Sequence, residues 1–87
     1  MADKMFVIVK INATDMERLG ELETAVKKIK SGQVKDIKRE ALGFGVEIIK
    51  AGIIINEKEE GALEKLQNEL NKIKLVETAE IEGMTLL

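Results

Sequence analysis

Apolar residues recur along this chain with two periods, one typical of β-strands and the other of amphipathic helices. Residues 5–11 are apolar and β-branched on both parities, which predicts a central strand with Met5, Val7, Val9 and Ile11 on one face. Residues 46–55 are also rich in apolar, β-branched residues, so another strand is predicted there. Residues 76–84 alternate between small or apolar and polar side chains, so a further strand is predicted there.

Two stretches between these strands have apolar residues at three- and four-residue intervals, the spacing of an amphipathic helix. Thr14 and Glu17 have the spacing of a capping box, so the first helix is predicted to begin there and to end at Gly32. Asn56 and Glu59 have the same spacing and predict the start of the second helix. The apolar stripes comprise Met16, Leu19, Leu22, Val26 and Ile29 in the first helix and Leu63, Leu66, Leu70 and Ile73 in the second.

Residues 33–41 complete the pattern as a half-exposed edge strand with a bulge, because Val34 and Ile37 are out of step for a clean alternation. The order strand, helix, strand, strand, helix, strand predicts an α+β fold, a ferredoxin-like βαββαβ two-layer sandwich. Residues 1–87 would then be a single domain with a four-stranded antiparallel sheet and two helices on one face.

The opposite face of the predicted sheet is left open and is more apolar than a solvated sheet usually is. Two interpretations stay open: long Lys and Glu stems cover this face, or it binds a partner or a second copy. Its apolar residues would be Phe6, Ile8, Val46, Ile48 and Ile54.

Composition excludes several classes of function. The 87-residue chain has 14 basic and 16 acidic residues and a pI near 5.2, so it lacks the excess of positive charge that is typical of nucleic-acid-binding proteins. We therefore expect no direct contact with nucleic acid. The absence of Cys and His excludes disulfides and thiolate metal sites. The longest apolar runs fall far short of a membrane span, and we expect a cytoplasmic protein that does not contact membranes.

No group of residues points to catalysis. Ser31 has no base to activate it, and the carboxylates of residues 57–60 and 77–82 have the positions of helix-start charges and a solvated strand face. Gly43-Phe44-Gly45 lacks the third glycine of a dinucleotide fingerprint, and Phe6 is the only candidate for an RNA-stacking aromatic on a central strand. We therefore expect neither an enzyme nor a bound cofactor or metal.

The segment Gly43-Phe44-Gly45 joins two strand-like segments and holds one of the two aromatic residues of the chain. Flanking glycines let the backbone turn sharply, which tends to push the benzyl group outward, where it would contact a partner. From the spacing alone, a plug that folds back over the end of the sheet is slightly favoured.

The run from Arg39 to Val46, which includes Gly43-Phe44-Gly45, resembles archaeal elongation factor 1-beta. So do the long apolar strand, acidic turn and helix after it, and the final strand from Val76 to Glu82. The chain is similar too to the carboxyl-terminal catalytic domain of the eukaryotic counterpart, where a Gly-aromatic-Gly sits at the same place. Thr14-Asp15-Met16 is a further point of similarity to the eukaryotic form.

The resemblance implies a guanine nucleotide exchange factor for elongation factor 1-alpha, the GTPase that delivers aminoacyl-tRNA to the ribosome. It implies that the Gly43-Phe44-Gly45 loop docks Phe44 in a pocket of the GTPase's second domain. It also implies that Thr85, Leu86 and Leu87 contact the nucleotide domain near the magnesium and switch region. We expect the free protein to be a monomer.

One position departs from the family pattern. Relatives usually carry Lys or Arg next to last, where this sequence has Leu86. A leucine cannot replace the charge of magnesium, so exchange would rely on steric displacement of the switch region, on anchoring by Phe44 or on another group. Two other functions stay open: a small regulatory module that dimerises or binds an apolar ligand through the open sheet face, and an accessory subunit of the translation complex without exchange activity.

Overall fold

A computed structural model describes residues 4–87, which form one four-stranded antiparallel sheet with two helices on one face. The elements are, in chain order, β1 (Lys4–Ala13), α1 (Leu19–Lys27), β2 (Gln33–Gly43), β3 (Val46–Asn56), α2 (Ala62–Asn71) and β4 (Val76–Leu86). The strand order is β2-β3-β1-β4, which confirms the predicted ferredoxin-like α+β architecture.

The core lies between the sheet and the helices, because alternate residues of each strand turn toward the same face. The two central strands and both helices supply side chains that are almost wholly shielded from solvent, as their periods predict. The largest of these core side chains are Val7, Val9 and Ile11 in β1, Leu22 and Val26 in α1, Ile49 and Ile53 in β3, and Leu66 and Leu70 in α2.

The edge strand β2 carries the expected bulge. Val34 pairs with Ile53, but the next pair joins Asp36 to Gly52, so β2 has one residue more than β3 at this point. The extra residue brings Val34 and Ile37 to the same face, where both pack partly buried against the core. This resolves the broken alternation in the sequence.

The first helix begins differently from the prediction. The N-cap is Asp15, not Thr14, because the Asp15 carboxylate accepts a hydrogen bond from the Glu17 backbone N–H at 2.9 Å. This cap begins a 3-10 turn over Met16–Arg18 that leads into α1. Gly32 does not end the helix, which stops at Lys27. A Cβ at Gly32 would lie 2.6 Å from Cγ2 of Ile53, so this position requires glycine for close packing on β3.

The second helix begins later than the capping-box spacing predicted. The Asn56 side chain accepts a hydrogen bond from the Lys58 backbone N–H at 3.0 Å, which forms a turn rather than a helix cap. The residue before α2 is Gly61, whose φ of +74° is a left-handed conformation that favours glycine. The local side-chain bond of Asn56 therefore competes successfully with helix initiation.

The uncovered face of the sheet is partly apolar and partly crossed by ion pairs. The ring of Phe6 lies over Gly52, since a Cβ there would be 2.4 Å from Cζ of Phe6. The Lys50 ammonium lies 2.8 Å from Glu40 and 3.3 Å from Glu82, and hydrogen bonds to these two carboxylates raise the pKa of Lys50. Long charged side chains thus cover part of this face, which is what the first of its two interpretations predicts.

Candidate partner-binding site

The turn between β2 and β3 has an unusual backbone. Gly43, Phe44 and Gly45 have φ values of +96°, +57° and +78°, so three consecutive residues have positive φ. Glycine adopts such values readily, but for phenylalanine a left-handed conformation costs about 1–2 kcal/mol. Within residues 4–87, Phe44 is the only residue other than glycine with a positive φ.

This turn directs Phe44 away from the protein. Its side chain is fully exposed, at 106% of the reference area, so the alternative of a plug over the end of the sheet is wrong. Leu42 and Val46 on either side are 51% and 42% exposed. We call residues 42–46 the tip end of the sheet. It presents a large aromatic group without packing it against the core.

The other predicted contact residues are the last two residues of β4, Thr85 and Leu86, and Leu87, which follows the strand. Thr85 pairs with Phe6 and Leu86 pairs with Met5 across the β1–β4 ladder, and the Leu87 N–H donates to the Lys4 carbonyl at 3.0 Å. Their backbone is thus fixed in the sheet, while the side chains of Leu86 and Leu87 are more than half exposed. We call residues 84–87 the terminal end; Met84 is 55% exposed as well.

The structure does not bring the two predicted groups together. Because β1 is antiparallel to both β3 and β4, the tip end and the terminal end lie at opposite ends of the sheet. An 11-residue strand spans roughly 35 Å at 3.3 Å per residue, and the longest dimension of the protein is 44 Å. One partner that contacts both ends must therefore present two surfaces tens of ångströms apart.

A third feature, a cavity beside the terminal end, was missed by sequence reasoning. A cavity of about 370 Å³ opens between the start of α2 and the adjoining ends of β1 and β3. Four glutamates line it, among them Glu57 and Glu60, which the sequence pattern marked only as helix-start charges. The signal in the sequence was the acidic run before Gly61, but its apolar neighbour Met5 lies on a strand more than fifty positions away.

Charged contacts support the framework between the two ends. The Arg39 guanidinium of β2 donates to the Glu23 carboxylate of α1, with 3.1 Å between Nε and Oε1, and this hydrogen bond raises the pKa of Arg39. Across residues 4–87, no three His, Cys, Asp or Glu side chains are arranged so that they could hold a metal ion. The helices in this part of the chain are too short or too polar to span a bilayer.

The class of this protein follows from a comparison with known protein families. Residues 5–87 match the family described as the EF-1 guanine nucleotide exchange domain. The ACT domain from a GTP pyrophosphokinase of Chlorobium tepidum also superposes with a TM-score of 0.63, covering 91% of this chain and 99% of that one. At 18% sequence identity, this second likeness shows the fold alone.

Two archaeal proteins are similar to this chain over most of its length. The chain is 36% identical to elongation factor 1-beta of Methanospirillum hungatei JF-1, over 93% of its own length and 94% of the relative's. It is 38% identical to elongation factor 1-beta of Methanoregula boonei, over 78% of each chain. The chain therefore belongs to the archaeal elongation factor 1-beta family of nucleotide exchange factors.

Proposed function

We propose that this protein promotes GDP release from elongation factor 1-alpha and that it binds the GTPase through both ends of its sheet. The observation that carries the proposal is Phe44, fully exposed on a strained left-handed turn in a chain of the exchange-factor family. Positive φ at both central residues suits a two-residue hairpin turn, but Asn, Asp or Gly adopts it more readily than Phe. The turn alone therefore does not favour an aromatic residue at position 44, and a strained residue of this kind points to a functional segment. The chain acts as a single exchange domain over residues 1–87.

Each end has a distinct role in this proposal. Phe44 occupies an apolar pocket of the GTPase's second domain, where one buried aromatic group contributes a large share of the binding energy. Thr85, Leu86 and Leu87 contact the nucleotide-binding domain near the magnesium and switch region. A protein that binds the nucleotide-free GTPase more tightly than the GDP-bound form must weaken GDP binding by the same factor.

The terminal end acts by contact rather than by charge. Residues 75–87 include no Lys or Arg, so no cation from this segment can take the place of magnesium. The exposed side chains of Met84, Leu86 and Leu87 instead displace the switch region sterically. The protein itself is not an enzyme: it works in the cytoplasm as a monomer and needs no cofactor, nucleic acid or membrane.

The test is the release of a fluorescent GDP from the cognate elongation factor 1-alpha, chased with excess unlabelled nucleotide, with and without magnesium. We expect wild-type protein to accelerate release, Phe44→Ala to weaken the acceleration at least tenfold, and Leu86→Lys to increase it. Ile8→Ala is the matched control for Phe44→Ala, because Ile8 is an exposed apolar residue on the open sheet face, away from the tip end.

The same experiment separates the proposal from its alternatives. A folded protein that does not accelerate release at any concentration, with a competent GTPase, excludes the exchange function. Equal losses from Phe44→Ala and Ile8→Ala would move the partner surface to the open face, where Phe6, Ile8 and Lys50 border a hollow of about 300 Å³. Sedimentation checks the same point, since a dimer through the open face would depend on concentration whereas we expect a monomer.

A further inference from the structure

The cavity beside the terminal end has an apolar floor. Met5 and Ile55 are paired across the β1–β3 ladder, and both side chains pack on the helix-covered side of the sheet. Ala62 and Leu63, at the start of α2, close the cavity from the other side. At about 370 Å³ the cavity is at the low end of ligand-binding clefts, which begin near 300 Å³, and it can accept one long side chain.

The rim of this cavity is acidic. Glu57, Glu59, Glu60 and Glu64 line it together with the apolar floor, and all four residues are exposed. Glu59 accepts a hydrogen bond from the Lys65 ammonium at 2.9 Å. The dipole of α2 favours an acidic residue in its first turn, which accounts for Glu64 but not for an apolar cavity beneath three further carboxylates.

We propose that this cavity binds a lysine or arginine side chain of the GTPase, an inference that rests on the proposed function. The aliphatic stem of such a side chain lies along apolar surface while its cation remains at a polar rim, and this cavity offers both surfaces. An anionic group would be repelled by the carboxylates of Glu57, Glu60 and Glu64, and a purely apolar group would desolvate these carboxylates without pairing them.

The position of the cavity agrees with this assignment. Met5, in its floor, pairs directly with Leu86 across the β1–β4 ladder. Neighbouring strands are about 4.8 Å apart, so a GTPase surface seated on Leu86 also reaches the cavity. The terminal end then combines an apolar contact with a socket for a cation, and the socket fixes the orientation of the partner.

The first test compares two variants that remove the same number of charges. The cavity variant is Glu57→Gln, Glu60→Gln and Glu64→Gln; the control is Glu17→Gln, Glu77→Gln and Glu80→Gln, at exposed positions outside the cavity. Affinity for purified elongation factor 1-alpha is measured at low and high salt. We expect the cavity variant to bind roughly tenfold more weakly, with a smaller salt dependence, and the control to stay within about twofold of wild type.

The second test needs no GTPase. Titration of the isolated protein with n-butylguanidinium, followed by NMR of the Met5 and Leu63 methyl groups, should give saturable shifts that the cavity variant loses. Butyrate, with the same chain length and the opposite charge, should produce none.

The two tests distinguish failure of the cavity from failure of the function. If wild type binds the GTPase but both charge variants weaken it equally, the cavity assignment is overturned and the exchange function stands. If wild type does not bind the GTPase, the proposed function fails, and the titration alone decides whether the cavity takes a cation.

Discussion

The tip end and the terminal end both expose apolar side chains, but they hold them by opposite means. At the tip end, three residues of positive φ project Phe44 into solvent, and a Cβ added at Gly43 or Gly45 would meet nothing within 4 Å. At the terminal end, Leu86 belongs to a strand paired with Met5, whose side chain packs against the core. Changes at the tip should therefore affect binding alone, whereas changes at the terminal end should affect folding as well.

The largest loss of stability is expected in the helix-covered core, which lies between the two ends. Leu66 of α2 is completely buried, so Leu66→Ala should lower the free energy of unfolding by about 2–5 kcal/mol through lost contacts and a cavity. Urea unfolding measures the effect. A variant as stable as wild type would show that α2 does not pack on the sheet through this face. The contrast between a stabilising core and two exposed ends would then be wrong.

Removal of residues 85–87 should have the next largest effect. The deletion breaks the pairs of Thr85 with Phe6 and Leu86 with Met5 and the bond from Leu87 to the Lys4 carbonyl. Since a backbone hydrogen bond contributes about 1 kcal/mol net, we expect a loss of roughly 1–3 kcal/mol in thermal or urea unfolding. Leu86→Ser is the matched control, because it keeps the backbone pairing and should cost much less.

An unchanged stability after this deletion would contradict the distinction between the ends. It would mean that the last pairs of the ladder do not stabilise β4 and that the terminal end, like the tip, can be altered independently of the fold.

A smaller effect is expected at Glu69, which links α2 to the connection between α1 and β2. Its carboxylate accepts hydrogen bonds from the Lys30 N–H at 2.9 Å and the Ser31 N–H at 2.7 Å. Partial burial acts to raise the pKa of Glu69, but the hydrogen bonds from Ser31 and Lys30 outweigh it and hold that pKa below its ordinary value of 4.5. Glu69→Gln should cost about 1 kcal/mol at neutral pH.

The direction of the pKa shift fixes the pH dependence. Because the folded protein holds the Glu69 proton less tightly than the unfolded chain does, this contribution is complete above the ordinary pKa of 4.5 and is lost as pH falls through the lower, folded pKa. The difference between wild type and Glu69→Gln should therefore shrink in acid. A constant difference from pH 7 to pH 3 would show that the charge of Glu69 is not what stabilises the connection.

The sequence predicts the fold well where one physical rule dominates and less well where local rules compete. Strands β1 and β3 are buried through long β-branched runs, so period alone fixes their faces. At Asn56 a capping-box spacing and an Asx turn are both available; the turn forms, and α2 begins only after Gly61, which has a left-handed backbone. Helix boundaries follow such local choices, which a spacing rule does not weigh.

The candidate site also has one part that the local sequence predicts and one part that it does not. An outward Phe44 follows from its two glycines once the left-handed turn is known, although the spacing alone slightly favoured a plug. The acidic cavity could not be found from spacing, because Met5 and Glu60 meet only through the β1–β3 register and the start of α2. Features that depend on long-range pairing need the three-dimensional arrangement.

The smallest effect on stability is expected at Phe44, and it is the sharpest test of the comparison. Phe44→Ala should change the free energy of unfolding by less than about 0.5 kcal/mol, because the ring is fully exposed and packs on nothing. Phe44→Asn should be as stable as wild type or slightly more so, since asparagine tolerates the left-handed conformation that Phe44 adopts at φ +57°. Both variants should nevertheless lose GTPase binding, because neither restores an aromatic anchor. If both instead lowered stability by more than about 1 kcal/mol, the ring would have to pack against the protein in solution, and the tip end would be part of the fold rather than a surface for a partner.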